Sequence, residues 1–323
     1  MKTALVTGGA GFIGSHLTER LLRDKWEVLV IDDLSTGSID NLRAARKSKR
    51  LHVTTGSIEN EQALAPLVKQ ADAVFHLAAA VGVKLIVDDP VHTIETNIHG
   101  TEVVLKCAAE GRKKVLLAST SEVYGKGSSE VFSEEDDLVF GATTRSRWCY
   151  GCSKAIDEFL ALAYHGARGL PVVILRLFNT VGARQTGRYG MVLPRFVQQA
   201  LAGGPISVYG DGEQVRCFTH VADVVEAFVR LAACEAAIGQ IFNVGSDQAV
   251  SVNELAERVR KLVNPKAEIQ HVPYEQVYGR GFEDIRVRVP DVRKLRDTIG
   301  LQPGRTLDQI IFEVKEHLSK GTA

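Results

Sequence analysis

The sequence predicts an α/β fold in which a doubly wound parallel sheet is followed by a smaller α/β domain. Short runs of almost wholly apolar residues recur through the first half of the chain, and amphipathic segments of helical length separate them. A glycine-rich turn follows the first apolar run. Strands that are apolar on both faces and alternate with helices are typical of a parallel sheet covered by helices on both sides.

The individual elements follow from these patterns in chain order. Apolar runs predict strands at residues 3–7, 27–31, 73–77, 114–119, 172–176 and 241–244. Helical spacing predicts helices over residues 12–23, 91–110, 149–167, 223–233 and 253–263. Glycine and proline become denser after residue 176, which indicates a change of architecture. We therefore expect residues 1–176, with returns near 217–245, to form the sheet domain, and residues 177–323 to form mainly the smaller domain.

Composition excludes several classes of protein. The 323-residue chain carries 39 basic and 39 acidic side chains, so its formal net charge is zero; a general nucleic-acid binder normally has a basic excess. No apolar stretch approaches the roughly 18 residues that a membrane span needs. The five cysteines have irregular spacing, and Cys149-x-x-Cys152 lacks the second pair of a zinc site. We expect a reduced, cytoplasmic protein without a metal, a membrane or a nucleic-acid partner.

The glycine-rich turn contains two overlapping spacings, Gly9-x-Gly11-x-x-Gly14 and Gly8-x-x-Gly11-x-x-Gly14. Glycines are needed in such a turn because the backbone approaches a pyrophosphate at the N-terminus of the following helix. Asp32 ends the next strand, about 20 residues beyond the glycines. A carboxylate at that place can accept both ribose hydroxyls and repels a 2′-phosphate. The pattern is typical of a Rossmann sheet that binds NAD in preference to NADP.

A second pattern indicates acid–base chemistry at the same sheet. Tyr150 and Lys154 are four positions apart on a predicted helix, so their side chains share one face. An ammonium group beside the phenol, together with a positively charged cofactor, lowers the pKa of Tyr150 and makes it a base at neutral pH. The hydroxyl-rich segment 118–125 follows a predicted strand at the end where parallel sheets hold their ligands.

Taken together, these motifs resemble those of the extended short-chain dehydrogenase/reductase family, in its nucleotide-sugar epimerase, dehydratase and decarboxylase branch. The resemblance covers nearly the whole chain. The matching positions are residues 7–14, Asp32, Asp33, 76–79, Asn97, 119–125, Tyr150, Lys154, 176–179, 208–212, 216–223 and 243–245.

The resemblance implies a role for each of these groups. Tyr150 is the base, Lys154 orients it, Thr120 hydrogen-bonds the sugar hydroxyl, and Ser121 and Glu122 complete the catalytic group. The implied NAD ligands are Gly8, Gly11, Phe12, Ile13, Gly14, Asp32, Asp33, Ser57, Ile58, Leu77, Ala78, Ala79, Asn97, Ser119, Tyr150 and Lys154. The implied ligands of the nucleotide-sugar substrate are Asn179, Arg188, Val192, Arg195, Tyr209, Arg216 and Arg288.

Glu122 favours one reaction within this branch. The corresponding position in 4-epimerases is usually small or a hydroxyl, whereas dehydratases and UDP-glucuronate decarboxylases carry a carboxylate. Ser121 replaces the aspartate of the thymidine-linked dehydratases, and Asp32 argues against the NADP preference of GDP-mannose dehydratases. The segments 145–150 and 278–291 also resemble those of decarboxylases. We therefore expect a UDP-glucuronate decarboxylase that forms UDP-xylose through a 4-keto intermediate, with Glu122 acting on the proton or the geometry at C5.

Two alternatives stay open on the sequence alone. A UDP-sugar 4-epimerase, acting on UDP-glucose or UDP-glucuronate, would share the first oxidation and differ in returning hydride to the other face. A catalytically inactive NAD-binding scaffold would share only the fold, and the intact Thr120, Tyr150 and Lys154 argue against it. The resemblance also implies a homodimer that pairs the predicted helices 91–110 and 149–167 in a four-helix interface.

Overall fold

The computed structural model describes residues 1–82, 86, 88–127, 129–187, 191–279 and 282–320. Its strands are β1 (Thr3–Thr7), β2 (Glu27–Asp32), β3 (Leu51–Thr55), β4 (Ala73–His76), β5 (Lys114–Thr120), β6 (Val172–Leu177), β7 (Thr180–Val181), β8 (Ile206–Tyr209), β9 (Val215–Cys217), β10 (Thr219–His220), β11 (Gln240–Val244), β12 (Ala249–Ser251), β13 (Ile269–Val272) and β14 (Val287–Arg288). Its α-helices are α1 (Phe12–Arg23), α2 (Glu61–Gln70), α3 (Pro90–Glu110), α4 (Cys149–Arg168), α5 (Val192–Leu201), α6 (Val221–Ala233), α7 (Val252–Val263), α8 (Tyr274–Tyr278), α9 (Arg293–Ile299) and α10 (Leu307–Lys320).

Seven strands form one parallel sheet in the order β11-β6-β5-β4-β1-β2-β3. The chain moves outward from β1 to β3 and then crosses back to β4 on the other side of β1. This reversal of direction is the defining feature of doubly wound α/β proteins. The predicted fold class is therefore confirmed.

Helices cover both faces of this sheet, because successive residues of each strand point to opposite sides. Val6 and Phe75 belong to the core beneath α1 and α6, whereas the neighbouring Leu5 and Val74 belong to the core beneath α2, α3 and α4. Of the seven strands of this sheet, β3 is the one that the sequence patterns failed to predict. It lies at the sheet edge with His52 and Val53 exposed, so it lacks the continuous apolar run of a central strand.

The C-terminal half contributes to two separate cores. β11 pairs with β6 at the edge of the main sheet, and α6 packs against α1. Helices α5, α7 and α10 enclose another apolar core with the parallel pair β8 and β13. The division into residues 1–176 and 177–323 stays a prediction. Within the part of the chain that the structure describes, no helix is both long and apolar enough to cross a membrane.

The candidate functional residues lie where the central strands end. Parallel strands place their carboxyl ends at one edge of the sheet, and ligands of such sheets bind there. The glycine turn follows β1, Leu77 follows β4, Thr120 ends β5, and Asn179 lies just beyond β6. This common edge brings together segments that are far apart in the sequence.

Candidate active site

A cavity of about 730 Å³ opens at the carboxyl edge of the sheet. This volume is within the range of small-molecule sites. Its walls come from the glycine turn, the ends of β2, β4, β5 and β6, and the segments around α5, β9, α8 and β14. Both halves of the chain therefore contribute to a single site.

The glycine turn needs residues without side chains, because Cβ atoms there would clash with neighbouring backbone atoms. Gly8 has a φ of +69°, and a Cβ there would lie 2.8 Å from the Ala78 nitrogen. A Cβ on Gly14 would lie 2.1 Å from the Gly8 carbonyl oxygen. Gly11 caps α1 without a side chain that could accept from the first backbone N–H groups of the helix. Those donors and the helix dipole favour an anion at this position.

The two carboxylates at the end of β2 also line the cavity. Asp32 accepts hydrogen bonds from the Ala10 N–H (2.8 Å) and the Leu34 N–H (2.9 Å), so it also fixes the glycine turn. Burial raises the pKa of Asp32, and these backbone donors act in the opposite direction. Asp33 accepts from the backbone and the hydroxyl of Ser35.

Most other residues predicted to bind the cofactor lie on the same walls. Asn97 does not: its amide accepts from the Ala80 N–H (2.8 Å) and donates to Ser153 Oγ (3.2 Å), which ties the segment after β4 to α4. The Ser119 hydroxyl donates to the buried Glu158. The predicted cofactor ligands that line the cavity, besides those above, are Phe12, Ile13, Ser57, Ile58, Leu77, Ala78, Ala79, Ser119 and Tyr150.

Tyr150 lies in the first turn of α4 and lines the cavity, whereas Lys154 is buried one turn further along and does not line it. Burial raises the pKa of the Tyr150 phenol, the Glu122 carboxylate adds to this effect, and a hydrogen bond with Thr120 opposes it. Lys154 Nζ donates to Asp157 Oδ2 at 2.8 Å. The expected lowering of the phenol pKa is therefore not found in the protein chain itself, where burial is the largest cause and raises that pKa.

Glu122 is held between two arginines near Tyr150. One carboxylate oxygen accepts from Arg147 Nη1 and the other from Arg288 Nη1, the latter at 2.9 Å. Burial acts to raise the pKa of Glu122, but the two guanidinium groups outweigh it and lower that pKa to about 2. Glu122 is therefore ionised across the physiological pH range, and Ser121 lies beside it in the turn that follows β5.

The same two arginines have unused hydrogen-bonding capacity. Among the described residues, the Nε atoms of Arg147 and Arg288 are buried and have no hydrogen-bond partner. A buried donor without an acceptor costs free energy. Both side chains line the cavity and share a single carboxylate, so their guanidinium groups favour an anionic ligand next to Tyr150.

Arg216 is a further cation that lines the cavity, and it lies beside Arg288. Arg216 and Arg288 are direct partners on the paired strands β9 and β14, and burial lowers the pKa of Arg216 to about 10. Arg216 donates to Asp284 at 3.1 Å, and Asn179 Oδ1 accepts from Arg288 at 2.7 Å. Two adjacent guanidinium groups favour a ligand with more than one negative charge.

The remaining predicted substrate ligands come from α5 and β8. Val192 begins α5, and the guanidinium group of Arg195 lies 3.7 Å from the centre of the Tyr209 ring. All three residues line the cavity. Arg188 lies outside the described residues, so its predicted role is untested.

Sequence reasoning assigned no ligand role to several residues that line the cavity. Arg147 lies three positions before Tyr150, in the segment 145–150 that resembles decarboxylases, but it was not among the predicted site residues. Tyr274, Tyr278 and Phe282 recur every four residues and stack on one another at the far wall. Their spacing of four residues is visible in the sequence, but the sequence does not indicate that these three rings face the cavity.

A dinucleotide cradle shares this cavity with a buried tyrosine and a cluster of arginines. This combination defines a nucleotide-sugar-modifying enzyme of the extended short-chain dehydrogenase/reductase class. The chain belongs to the family described as GDP-mannose 4,6 dehydratase, whose sequence model matches residues 5–314.

Known proteins resemble the chain over nearly its full length. A UDP-N-acetyl-alpha-D-glucosaminuronate decarboxylase of Bacillus cytotoxicus is 44% identical over 97% of this chain and 96% of its own. UDP-glucuronic acid decarboxylase 6 of Arabidopsis thaliana is 36% identical over 93% of this chain and 83% of its own. The crystal structure of UDP-glucuronic acid 4-epimerase from Bacillus cereus, in complex with UDP-glucuronic acid and NAD, superposes with a TM-score of 0.89 at 27% identity, covering 98% and 99% of the two chains.

The charge on Glu122 predicts a pH-dependent contribution to stability. Replacing Glu122 with Gln leaves two buried arginines without their carboxylate, so it should lower the free energy of unfolding by about 3 kcal/mol at neutral pH. The pKa in the folded state lies below the ordinary value of 4.5, so this contribution is complete above about pH 5 and is lost as the pH falls toward about 2. Urea unfolding at several pH values measures the difference between the two proteins.

Glu110→Gln is the matched control, because Glu110 is exposed at the end of α3. Its effect should stay within about 0.5 kcal/mol at every pH. A loss of stability in the Glu122→Gln variant that is the same at low and neutral pH would contradict the assigned charge state.

Proposed function

We propose that this chain is an NAD-dependent decarboxylase of a UDP-linked uronic acid, which it converts to a UDP-pentose through a 4-keto intermediate. The observation that carries the proposal is the pair of buried guanidinium groups beside Tyr150. Arg147 and Arg288 share one carboxylate, Glu122, and both line the cavity. A sugar carboxylate next to the oxidised carbon can accept hydrogen bonds from these guanidinium groups.

The proposed cofactor is NAD. Its pyrophosphate would lie at the glycine turn, and its adenosine ribose beside Asp32 and Asp33 at the end of β2. The crystal structure of the 4-epimerase from Bacillus cereus contains NAD, which supports this assignment. Bound NAD supplies a hydride acceptor, and later a hydride donor, for the C4 carbon of the sugar.

The proposed substrate class is UDP-linked glucuronate, with or without an acetamido group at C2. The sequence motifs alone favour UDP-glucuronate, which the name of the Arabidopsis relative also specifies. The name of the relative from Bacillus cytotoxicus specifies the N-acetylated sugar. Both sugars present the same carboxylate to Arg147 and Arg288, so these arginines do not discriminate between them.

Tyr150 accepts the proton of the C4 hydroxyl in the proposed mechanism. Thr120 lies beside the phenol and hydrogen-bonds the same hydroxyl, which orients the proton toward Tyr150. Lys154 supports the phenol from one helical turn away. The phenol then returns this proton to the C4 oxygen when the ketone is reduced at the end of the reaction.

Oxidation at C4 makes the carboxylate labile. The oxidised sugar is a β-keto acid, so its C5–C6 bond breaks with release of carbon dioxide, and the electron pair moves into the C4 carbonyl as an enolate. A proton added at C5 then restores the ketone. Because Glu122 is ionised and bound to Arg147 and Arg288, we assign it the positioning of these arginines and not the transfer of that proton.

The nucleotide is assigned to the wall beyond these arginines. Asn179, Val192 and Arg216 line it, together with the stacked pair of Arg195 and Tyr209. Adjacent guanidinium groups suit a diphosphate, and aromatic rings suit the base. Arg188 retains its predicted role as a ligand of the nucleotide-sugar substrate.

A 4-epimerase is the second candidate, because the structural match to the UDP-glucuronic acid 4-epimerase extends over 98% of the chain. Such an enzyme also forms a C4 ketone, but it keeps all six carbons of the sugar. The guanidinium groups of Arg147 and Arg288 bind a carboxylate in either case. The fate of C6 therefore separates the two reactions.

The decisive experiment incubates the purified protein with UDP-glucuronate and, separately, with UDP-N-acetylglucosaminuronate. Proton NMR should show a UDP-pentose and carbon dioxide should be released from at least one of them. A six-carbon product with inverted C4 would overturn the decarboxylase proposal and support the epimerase.

The Tyr150→Phe variant should lose at least about 10³-fold in kcat while binding NAD as tightly as the wild type. Unchanged turnover in this variant would remove Tyr150 from the mechanism.

Replacing Arg147 should weaken the interaction with the substrate carboxylate and leave the affinity for UDP unchanged. Arg147→Lys keeps the charge beside Glu122 but removes the planar fork and its second donor. We expect kcat/KM for the uronate to fall about 10–100-fold while Kd for UDP, which lacks the carboxylate, stays unchanged. Arg145→Lys, at an exposed site two residues away, is the control. An equal loss of UDP affinity in Arg147→Lys would assign Arg147 to the nucleotide instead.

We further propose that the enzyme is a homodimer that pairs α3 and α4 with the same helices of a second copy. Large apolar side chains are exposed on these two helices: Phe159 (69%), Val91 (63%), Ile156 (47%) and Ile94 (38%). Phe159→Glu should shift the mass measured by gel filtration with light scattering from dimer to monomer. Phe312→Glu, on α10 with a comparably exposed ring, should leave the mass unchanged. A monomeric wild type would contradict this proposal.

A further inference from the structure

The segment 282–288 forms part of the cavity wall, and one of its carboxylates faces away from the cavity. Phe282 and Asp284 line the cavity, whereas Glu283 between them does not. Such alternation is typical of an extended chain, whose successive side chains point to opposite sides. Residues 282–285 belong to no helix or strand. The position of this wall therefore depends on the contacts that its side chains make.

The outward carboxylate contacts the turn that leads into α4. Glu283 Oε2 accepts a hydrogen bond from Trp148 Nε1 at 2.9 Å and lies 2.7 Å from Lys126 Nζ. The hydrogen bond with Lys126, followed by that with Trp148, lowers the pKa of Glu283, so it is a carboxylate at neutral pH. Lys126 Nζ also lies 5.4 Å from the centre of the Trp148 ring. Three segments of the chain therefore meet at this one carboxylate.

The space around this contact is filled. Trp148 is only 3% exposed. A Cβ at Gly141 would collide with the indole nitrogen of Trp148 and would lie 3.0 Å from Glu283 Oε2. The glycine thus allows the indole and the carboxylate to meet, and the packing holds the indole in one orientation.

Trp148 lies between two residues that belong to the proposed chemistry. Arg147 and Tyr150 line the cavity, whereas Trp148 does not. The guanidinium carbon of Arg147 lies 5.8 Å from the centre of the Trp148 ring. On the cavity side, the charge of Asp284 acts on Arg147. The hydrogen bond between Trp148 and Glu283 therefore joins, from the outer side, two segments whose inner residues form the substrate site.

We propose that Glu283 is a positioning residue that fixes the segment 282–288 against the turn before α4. The inference rests on the proposed function, in which Arg147 and Arg288 bind the sugar carboxylate. One of these arginines comes from each of the two joined segments. Glu283 does not line the cavity, so it acts through Trp148 and through its own segment, and it sets the separation of the two sides of the site.

Loss of this contact should weaken substrate binding more than it slows the reaction. The segment 282–288 holds the substrate in the ground state and the transition state alike, so its displacement raises KM and leaves kcat unchanged. Asp284 on this segment pairs with Arg216, which is assigned to the diphosphate, so the affinity for UDP should fall as well. The glycine turn lies between β1 and α1, outside this segment, so the affinity for NAD should not change.

The test compares Glu283→Ala with the wild type by calorimetry for UDP and NAD and by steady-state kinetics for the uronate. Kd for UDP and KM should rise about 5–20-fold, while kcat and Kd for NAD stay within about 2-fold. Glu283→Gln keeps an acceptor for the indole N–H and should lose less than about 3-fold in the same affinities. Arg286→Gln removes an exposed ion pair with Asp211 on the same segment and, as the matched control, should leave all four values unchanged.

Two further variants disturb the same contact from other sides. Trp148→Phe removes the indole donor, and Gly141→Ala places a methyl group against it. Each should weaken UDP binding about as much as Glu283→Ala, and Gly141→Ala serves if Trp148→Phe does not fold. The double variant Trp148→Phe/Glu283→Ala should lose no more than the larger single effect, because partners in one contact are not additive.

Two results overturn the inference. One is an unchanged affinity of Glu283→Ala for UDP and the uronate, even with a lower free energy of unfolding, since the contact would then be structural only. The other is an additive loss of UDP affinity in the double variant. UDP binding needs no turnover, so these results are distinct from a sugar product that contradicts the proposed reaction.

Discussion

The site depends above all on the ion-paired carboxylate of Glu122. Its two arginines come from the turn before α4 and from β14, so three distant segments meet at one carboxylate. Glu122 itself lies directly after β5, beside Thr120. The pairing therefore joins the sheet that carries the cofactor turn to the C-terminal half that carries most of the proposed substrate ligands. Without it, two buried guanidinium groups would repel each other next to Tyr150.

Compensated charge is also the general rule around this cavity. The formal net charge of the chain is zero, and several of its strongly buried charges occur in close pairs, such as Lys154 with Asp157 and Arg176 with Glu158. A buried pair leaves little net field, so the field in the cavity is set by the groups that are incompletely paired. Arg216 and Arg288 lie side by side on neighbouring strands and supply that excess. A globally neutral protein thus presents a locally cationic site suited to a small polyanion.

Local patterns were sufficient to predict the sheet, the glycine turn and the Tyr150–Lys154 helix, because each depends on residues close together in the sequence. The edge strand β3 was missed because its exposed residues weaken the apolar signal. The partners of functional residues could not be predicted, since Arg147 reaches Glu122 across 25 positions and Arg288 reaches it across 166. The hydrogen bond that the Asn97 amide accepts from the Ala80 N–H, which holds the segment after β4, depends on the tertiary structure in the same way.

The pairing of Glu122 has a consequence for the proton that must reach C5 after decarboxylation. A carboxylate with a pKa of about 2 is a very weak base at neutral pH and almost never carries a proton to donate. Guanidinium groups hold their protons too tightly to act as acids. Neither member of the cluster therefore suits proton transfer, and the cluster suits the recognition of a carboxylate instead. In the proposed mechanism the proton at C5 therefore comes from water, because the Tyr150 phenol keeps the proton that it returns to the C4 oxygen.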